Sequence, residues 1–320
     1  MTISKQSARN TRTMTATLML SVIVAGCGSA DQSSNATTTS TTSTDITNAQ
    51  LSDKSVSCTD YAGALTATAT DVQNRNSFAA ATTITANGNS CTIASNAVPN
   101  HDFNATGRFA TQFRPQSQSY TVPANPTLAT GPTALSLQYD NAVFLNGVKL
   151  DLLAAGCFGV GNGAIGCHNM NSPYRYDPMG GSNKFGADEH NAHTQPDGTY
   201  HYHGNPLALF AQANPTTSSP VVGFAADGFP IFGSYISDEG TIRKAKSSYQ
   251  LKSGSRNGGP GGSYDGTFID DWVYVAGSGD LDACNGMEQN GSYGYVVTET
   301  YPHVLGCFTG TPDASFRKGR

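Results

Sequence analysis

At 320 residues with a formal charge of −5, the chain has too few cations to suggest a nucleic-acid partner. Only 13% of its residues are charged, glycine numbers 35 and tyrosine 14, and long apolar stretches of helical period are few. This composition argues for a mostly β fold.

In chain order, Lys5, Arg9 and Arg12 precede an apolar run from Ala16 to Gly26. That run is too short to cross a bilayer as a helix, so residues 1–26 read as a signal peptide. Val24-Ala25-Gly26-Cys27 resembles the lipobox of bacterial lipoproteins, which implies acylation of Cys27 and a membrane as partner through that lipid. The expected address is the bacterial cell envelope, at the outer membrane given Gly28 after the cysteine, with plain secretion as the alternative. Loss of three leader cations and no acids takes the charge from −5 to −8. Residues 27–54 are dominated by Ser, Thr, Asn and Ala, which bury too little apolar surface to offset ordering entropy, and read as a flexible tether.

Beyond the tether, short apolar or alternating runs at 134–139, 142–150, 221–225, 230–236, 272–276 and 293–298 read as strands, punctuated by Gly, Asn and Asp. The expected fold is mainly β: one Gly- and Tyr-rich, β-sandwich-like domain with long loops, stapled by disulfides and preceded by a disordered tether. Residues 55–94 read as an N-terminal β elaboration and residues 95–320 as the main domain. Apart from Cys27, six cysteines remain. In an exported chain an even number argues for disulfides, and although 15 pairings are open, proximity favours Cys58–Cys91, Cys157–Cys167 and Cys284–Cys307. Thiolate ligation of a metal is the competing reading, without a Cys-x-x-Cys pair to support it.

Four of the seven histidines fall between Asp188 and His203. Thr199-Tyr200-His201-Tyr202-His203 suits a strand, on which alternation puts His201 and His203 on one face and the two tyrosines on the other. Pro196-Asp197-Gly198 suits a three-residue hairpin loop with glycine in the left-handed position. In that register Gln195 pairs with Thr199 and His193 lies opposite His201, so that three imidazoles converge. A two-residue loop would instead send His193 to the tyrosine face.

Gly198-Thr-Tyr-His-Tyr-His-Gly-Asn-Pro resembles the signature of the YHYH protein family. Val98-Pro-Asn-His101, Phe144-Leu-Asn-Gly-Val, Ala226-Asp-Gly-Phe-Pro-Ile-Phe-Gly, Ser247-Ser-Tyr-Gln-Leu-Lys-Ser-Gly, Tyr264-Asp-Gly-Thr-Phe and Asp280-Leu-Asp-Ala-Cys-Asn-Gly resemble further elements of that family in the same order. Phe232 stands where the family usually shows Tyr. The resemblance implies a bacterial exported domain and supplies no established activity. It also implies that His101, in the Pro-Asn-His element, approaches the histidine-rich stretch.

Neutral imidazoles at period-2 spacing are ligands for zinc or copper. The candidate ligands are His193, His201 and His203, joined by His190 and His101, with Asp188 and Glu189 orienting ring N–H groups or ligating directly. A copper or zinc ion is the cofactor expected, with no organic cofactor. Metal capture or handling is the leading role. A metal-dependent envelope enzyme, either hydrolase or copper oxidoreductase, and a metal-free module binding a glycan or protein are the alternatives. A Tyr-His-Tyr-His strand can also be simply amphipathic, with solvated or carbonyl-bonded histidines. Asp265, Asp270, Asp271, Asp280 and Asp282 form a weaker calcium candidate, without EF-hand spacing.

Overall fold

A computed structural model describes residues 42–163, 165–181, 185–289 and 291–319. The expected signal peptide, Cys27 and the first part of the expected tether lie outside the described residues. Two sheets carry the fold. The first contains β1 (Ser43–Asp45), β2 (Gly63–Asp71), β3 (Asn76–Asn87), β4 (Ser90–Ser95) and β5 (Gln118–Pro123), in sequential order. All its pairs are antiparallel except β1 with β2. β3 shows why these strands form: its Ala80, Thr82 and Ile84 are buried while intervening residues are exposed, the period-2 pattern of a half-buried strand.

The second sheet contains β6 (Ala142–Phe144), β7 (Lys149–Leu150), β8 (Ala192–Thr194), β9 (Tyr200–Tyr202), β10 (Val221–Ala225), β11 (Pro230–Phe232), β12 (Gly286–Gln289) and β13 (Ser292–Val296). Their spatial order is β12-β13-β11-β10-β6-β7-β9-β8. Its central strands are buried on both faces, including Val143, Phe224, Ile231 and Phe232. Such strands read as continuous apolar runs, and the β9·β7 and β11·β13 pairs are parallel.

Both sheets contribute to one core, in the sandwich-like arrangement expected. Phe78 of β3 meets Phe113 at 4.8 Å between ring centroids, and Phe103 packs on Tyr200 of β9 at 5.2 Å. The turn between β6 and β7 docks on the first sheet, with Ser95 Oγ donating to the Gly147 carbonyl at 2.6 Å. A Cβ at Gly147 would lie 2.3 Å from Thr82 Oγ1, and its φ is +81°, so glycine permits this approach. The same turn corrects the expected strand at 142–150, which is a hairpin of two short strands.

The tether expected over residues 27–54 also needs correction at its end. Ser43–Asp45 pairs with β2, Leu51 N–H donates to the Leu209 carbonyl, and the Asp53 carbonyl accepts from Val221 N–H. Backbone hydrogen bonds hold this mostly polar segment, and its few apolar residues, Ile46 and Leu51, pack against the core. The division placed at 94/95 falls at the end of β4, which pairs with β3 on one side and β5 on the other. The expected disulfides Cys58–Cys91, Cys157–Cys167 and Cys284–Cys307 all form.

Candidate metal centre

The hairpin that carries the site closes through Pro196-Asp197-Gly198. Gln195 N–H donates to the Thr199 carbonyl and Gly198 N–H to the Gln195 carbonyl, both at 2.9 Å. Gly198 has φ +89°, which side-chain-bearing residues rarely adopt. β8 and β9 then pair with Tyr200 opposite Thr194, His201 opposite His193 and Tyr202 opposite Ala192. This is the three-residue-loop register, and it brings three imidazoles to one face.

Their Nε2 atoms are in contact: His203 Nε2 lies 2.9 Å from His201 Nε2 and 2.9 Å from His193 Nε2. Among the described residues these three are the group of potential ligand atoms lying within 4.8 Å of one another. His193 Nδ1 is 2.6 Å from the Phe185 carbonyl, and His201 Nδ1 3.4 Å from that of Thr199. A carbonyl only accepts, so the His193 ring carries its proton on Nδ1 and presents an Nε2 lone pair, the arrangement of a ligating histidine. His203 Nδ1 is buried with no partner in hydrogen-bonding geometry, although the Leu152 backbone favours a proton on the ring.

Electrostatics favour the neutral rings. Burial first, then the mutual proximity of the imidazoles and the charges of Lys149 and Lys318, pushes His201 well below the ordinary histidine value. His203 is pushed well below it by burial, then by His193, Lys318 and His303. Burial also lowers His193, against the Phe185 hydrogen bond. Neutral nitrogens facing one another at 2.9 Å suit a shared cation. Ligands around a tetrahedral zinc lie about 3.3 Å apart, so a few tenths of an ångström of outward movement accommodates the ion.

The other candidates are placed elsewhere. His101 lies on the tyrosine side of the hairpin: its Nδ1 donates to the Asp102 carbonyl at 2.8 Å, and its Nε2 accepts from the Tyr202 hydroxyl at 2.6 Å. Its ring lies tilted against that of His190, with centroids 4.0 Å apart and planes at 47°. Neither His101 nor His190 belongs to the group of three. Asp188 braces the entry to β8, accepting from Asn104 N–H and the Tyr200 hydroxyl on one oxygen and from His190 N–H on the other, each at 2.9 Å. Burial raises its pKa against those hydrogen bonds. Glu189 accepts from the N–H groups of Ala105 and Thr106. Burial alone would raise it, but backbone donors together hold it below the usual carboxylate value. Both acids therefore shape the loop, and of the two Glu189 also approaches the His190 ring at 3.7 Å, away from the three converging histidines. His168 is exposed, and His303 contacts Asp177 at 3.1 Å.

The aspartates weighed for calcium are spent on other partners. Asp265 and Asp271 pair with Arg256, Asp280 with Arg243, and Asp282 accepts from Cys284 and Gly286 N–H groups. Asp270 accepts from Arg175 N–H.

Two clefts lie among the described residues, and His193, His201 and His203 line neither of them. One of about 520 Å³ is lined by Arg108, Tyr176, Asp177 and Phe185, whose carbonyl orients His193. The other, of about 260 Å³, is lined by Asn191, Gly204 and His303. Asp151, at the end of β7, is a further acid on the histidine side that the sequence did not single out. Its Oδ2 accepts from Gln195 Nε2 at 2.9 Å and from Lys318 Nζ at 2.5 Å. Only the parallel pairing of β7 with β9, a long-range feature, reveals it.

A family model described as YHYH protein matches residues 119–310, more than half of the chain and all of the histidine hairpin. No curated protein and no solved structure matches.

Proposed function

The chain belongs to the YHYH protein family, and from that premise we propose that it is an exported, lipid-anchored metal-binding protein that captures or hands on zinc or copper at the bacterial cell envelope. The observation that carries this reading is the convergence of three buried Nε2 atoms at 2.9 Å contacts, one of them with its other ring nitrogen bonded to a carbonyl. Nitrogen ligands without thiolates suit Zn(II) or Cu(II). The six cysteines outside the leader region are tied in disulfides, in keeping with an oxidising compartment. The leader and Cys27 supply the membrane attachment, at the outer membrane in a cell that has one.

Elemental analysis of the purified protein, after incubation with Zn²⁺ or Cu²⁺ and desalting, tests the reading. One equivalent of metal is expected in the wild type and none at this site in His201→Ala/His203→Ala. A wild type that stays metal-free, or a variant that loads equally, contradicts it.

A further inference from the structure

The strand beneath the histidines supplies a carboxylate that the three-nitrogen centre leaves unused. β7 runs parallel to β9 with Lys149 beside His201 and Leu150 beside Tyr202, and Asp151 N–H donates to the Tyr202 carbonyl at 2.9 Å. Residues in register project to the same side of a sheet and alternate along each strand. Lys149 and Asp151 therefore share the face of His201 and His203, while Leu150 shares that of Tyr202. Gln195, two residues beyond His193, lies on the same face and reaches Asp151 directly.

Asp151 is only 5% exposed, and its two oxygens differ. Oδ2 takes both donors, Gln195 and Lys318, whereas Oδ1 is buried without a partner. Leaving a buried acceptor unsatisfied is costly, and the spare Oδ1 is available to a ligand. Lys318 arrives from the C-terminal segment, which is anchored by its own N–H to the Gln138 carbonyl and by the stacking of Phe316 on Tyr120 at 4.6 Å. The lysine is thus held against Asp151 by packing that does not involve the histidines.

We propose that Asp151 is the exchangeable fourth ligand of the centre: when a divalent cation is held by His193, His201 and His203, Oδ1 moves onto the ion, and Lys318 is the cation that competes with it for the carboxylate. This rests on the reading of the three histidines as a metal centre. The Asp151 oxygens lie outside the group within 4.8 Å, so the exchange requires rotation of the Asp151 side chain. Three nitrogens and one carboxylate oxygen make a four-coordinate set suited to Zn(II) or Cu(II). The anionic ligand also offsets Lys318, while Lys149 is already paired with Asp140 at 3.0 Å, a carboxylate that Lys318 approaches at 3.7 Å.

The test is Zn²⁺ titration of the purified protein in competition with a fluorescent zinc chelator. Asp151→Asn is expected to bind about 10- to 100-fold more weakly than wild type, the range seen when a carboxylate supporting a metal site is lost. Lys318→Met is expected to bind about 3- to 10-fold more tightly, since a unit positive charge has been removed from the ion's surroundings. These signs follow from charge alone, so the Zn²⁺-bound crystal structure of the wild type decides ligation: Asp151 Oδ1 about 2.0–2.2 Å from the ion is expected, and an Oδ1 that stays off the ion overturns the exchange. Equal affinity in wild type and Lys318→Met, or weaker binding by Lys318→Met, overturns the exchange while the three-histidine centre stands. A wild type that binds no zinc overturns both.

Discussion

Acidification should destabilise the metal-free protein in a window set by its buried imidazoles, and His101 gives the size of the effect. His101 is 3% exposed, and burial, followed by the nearby His190 charge, holds its pKa down to about 4 from 6.5. Between those two values the unfolded chain binds more protons than the folded one, so stability falls as pH falls. The contribution is fully present above about pH 6.5, is lost progressively toward about pH 4, and changes no further below that. It amounts to about 3 kcal/mol when complete and about 2.5 kcal/mol at about pH 4.5. His193, His201 and His203 are lowered as well and act in the same direction. Urea denaturation at about pH 7 and about pH 4.5, with a chelator present, measures the loss. His101→Gln should lose about 2.5 kcal/mol less than wild type between those two conditions, because carboxylate titration is common to both proteins. Equal losses would refute the assignment of the buried neutral imidazole.

Tyr202→Phe should lower stability by about 1–3 kcal/mol in urea denaturation at neutral pH, because it strips the His101 Nε2 and Asn146 Nδ2 of their shared hydroxyl partner. Gly198→Ala should cost about 1–2 kcal/mol and weaken zinc binding, since its φ of +89° is strained for alanine and the new Cβ would lie 2.9 Å from the Gln112 carbonyl oxygen. An unchanged thermal midpoint and zinc affinity would count against the hairpin geometry. Replacing Cys58 and Cys91 by alanine should cost about 3–4 kcal/mol, as the bridge closes a 33-residue separation, with equilibrium denaturation as the check.

The histidine hairpin was legible in the sequence because every rule it obeys is local. Alternation along Thr199–His203 set the faces, and Pro196-Asp197-Gly198 set the register that puts His193 opposite His201. The disulfides were legible for the same reason, since each joins cysteines close in the chain. What escaped depends on tertiary pairing. His101 does approach the histidine-rich stretch as the resemblance implied, but its ring bonds to Tyr202 on the opposite side of β9 from the three converging imidazoles. Asp188 and Glu189 are adjacent to His190 in sequence, yet backbone donors from the 104–106 segment claim them. Asp151 carried no signal, because its approach requires a parallel neighbour strand and a lysine from the far end of the chain. The polar Ser43–Asp45 segment likewise pairs through its backbone, which composition does not report.

Anomalous diffraction at the zinc edge, from crystals of the protein grown with Zn²⁺, tests the metal centre most directly. The expected result is one strong peak about 2.0–2.1 Å from the Nε2 atoms of His193, His201 and His203. A zinc peak at His101 and His190 with none among those three nitrogens would contradict it.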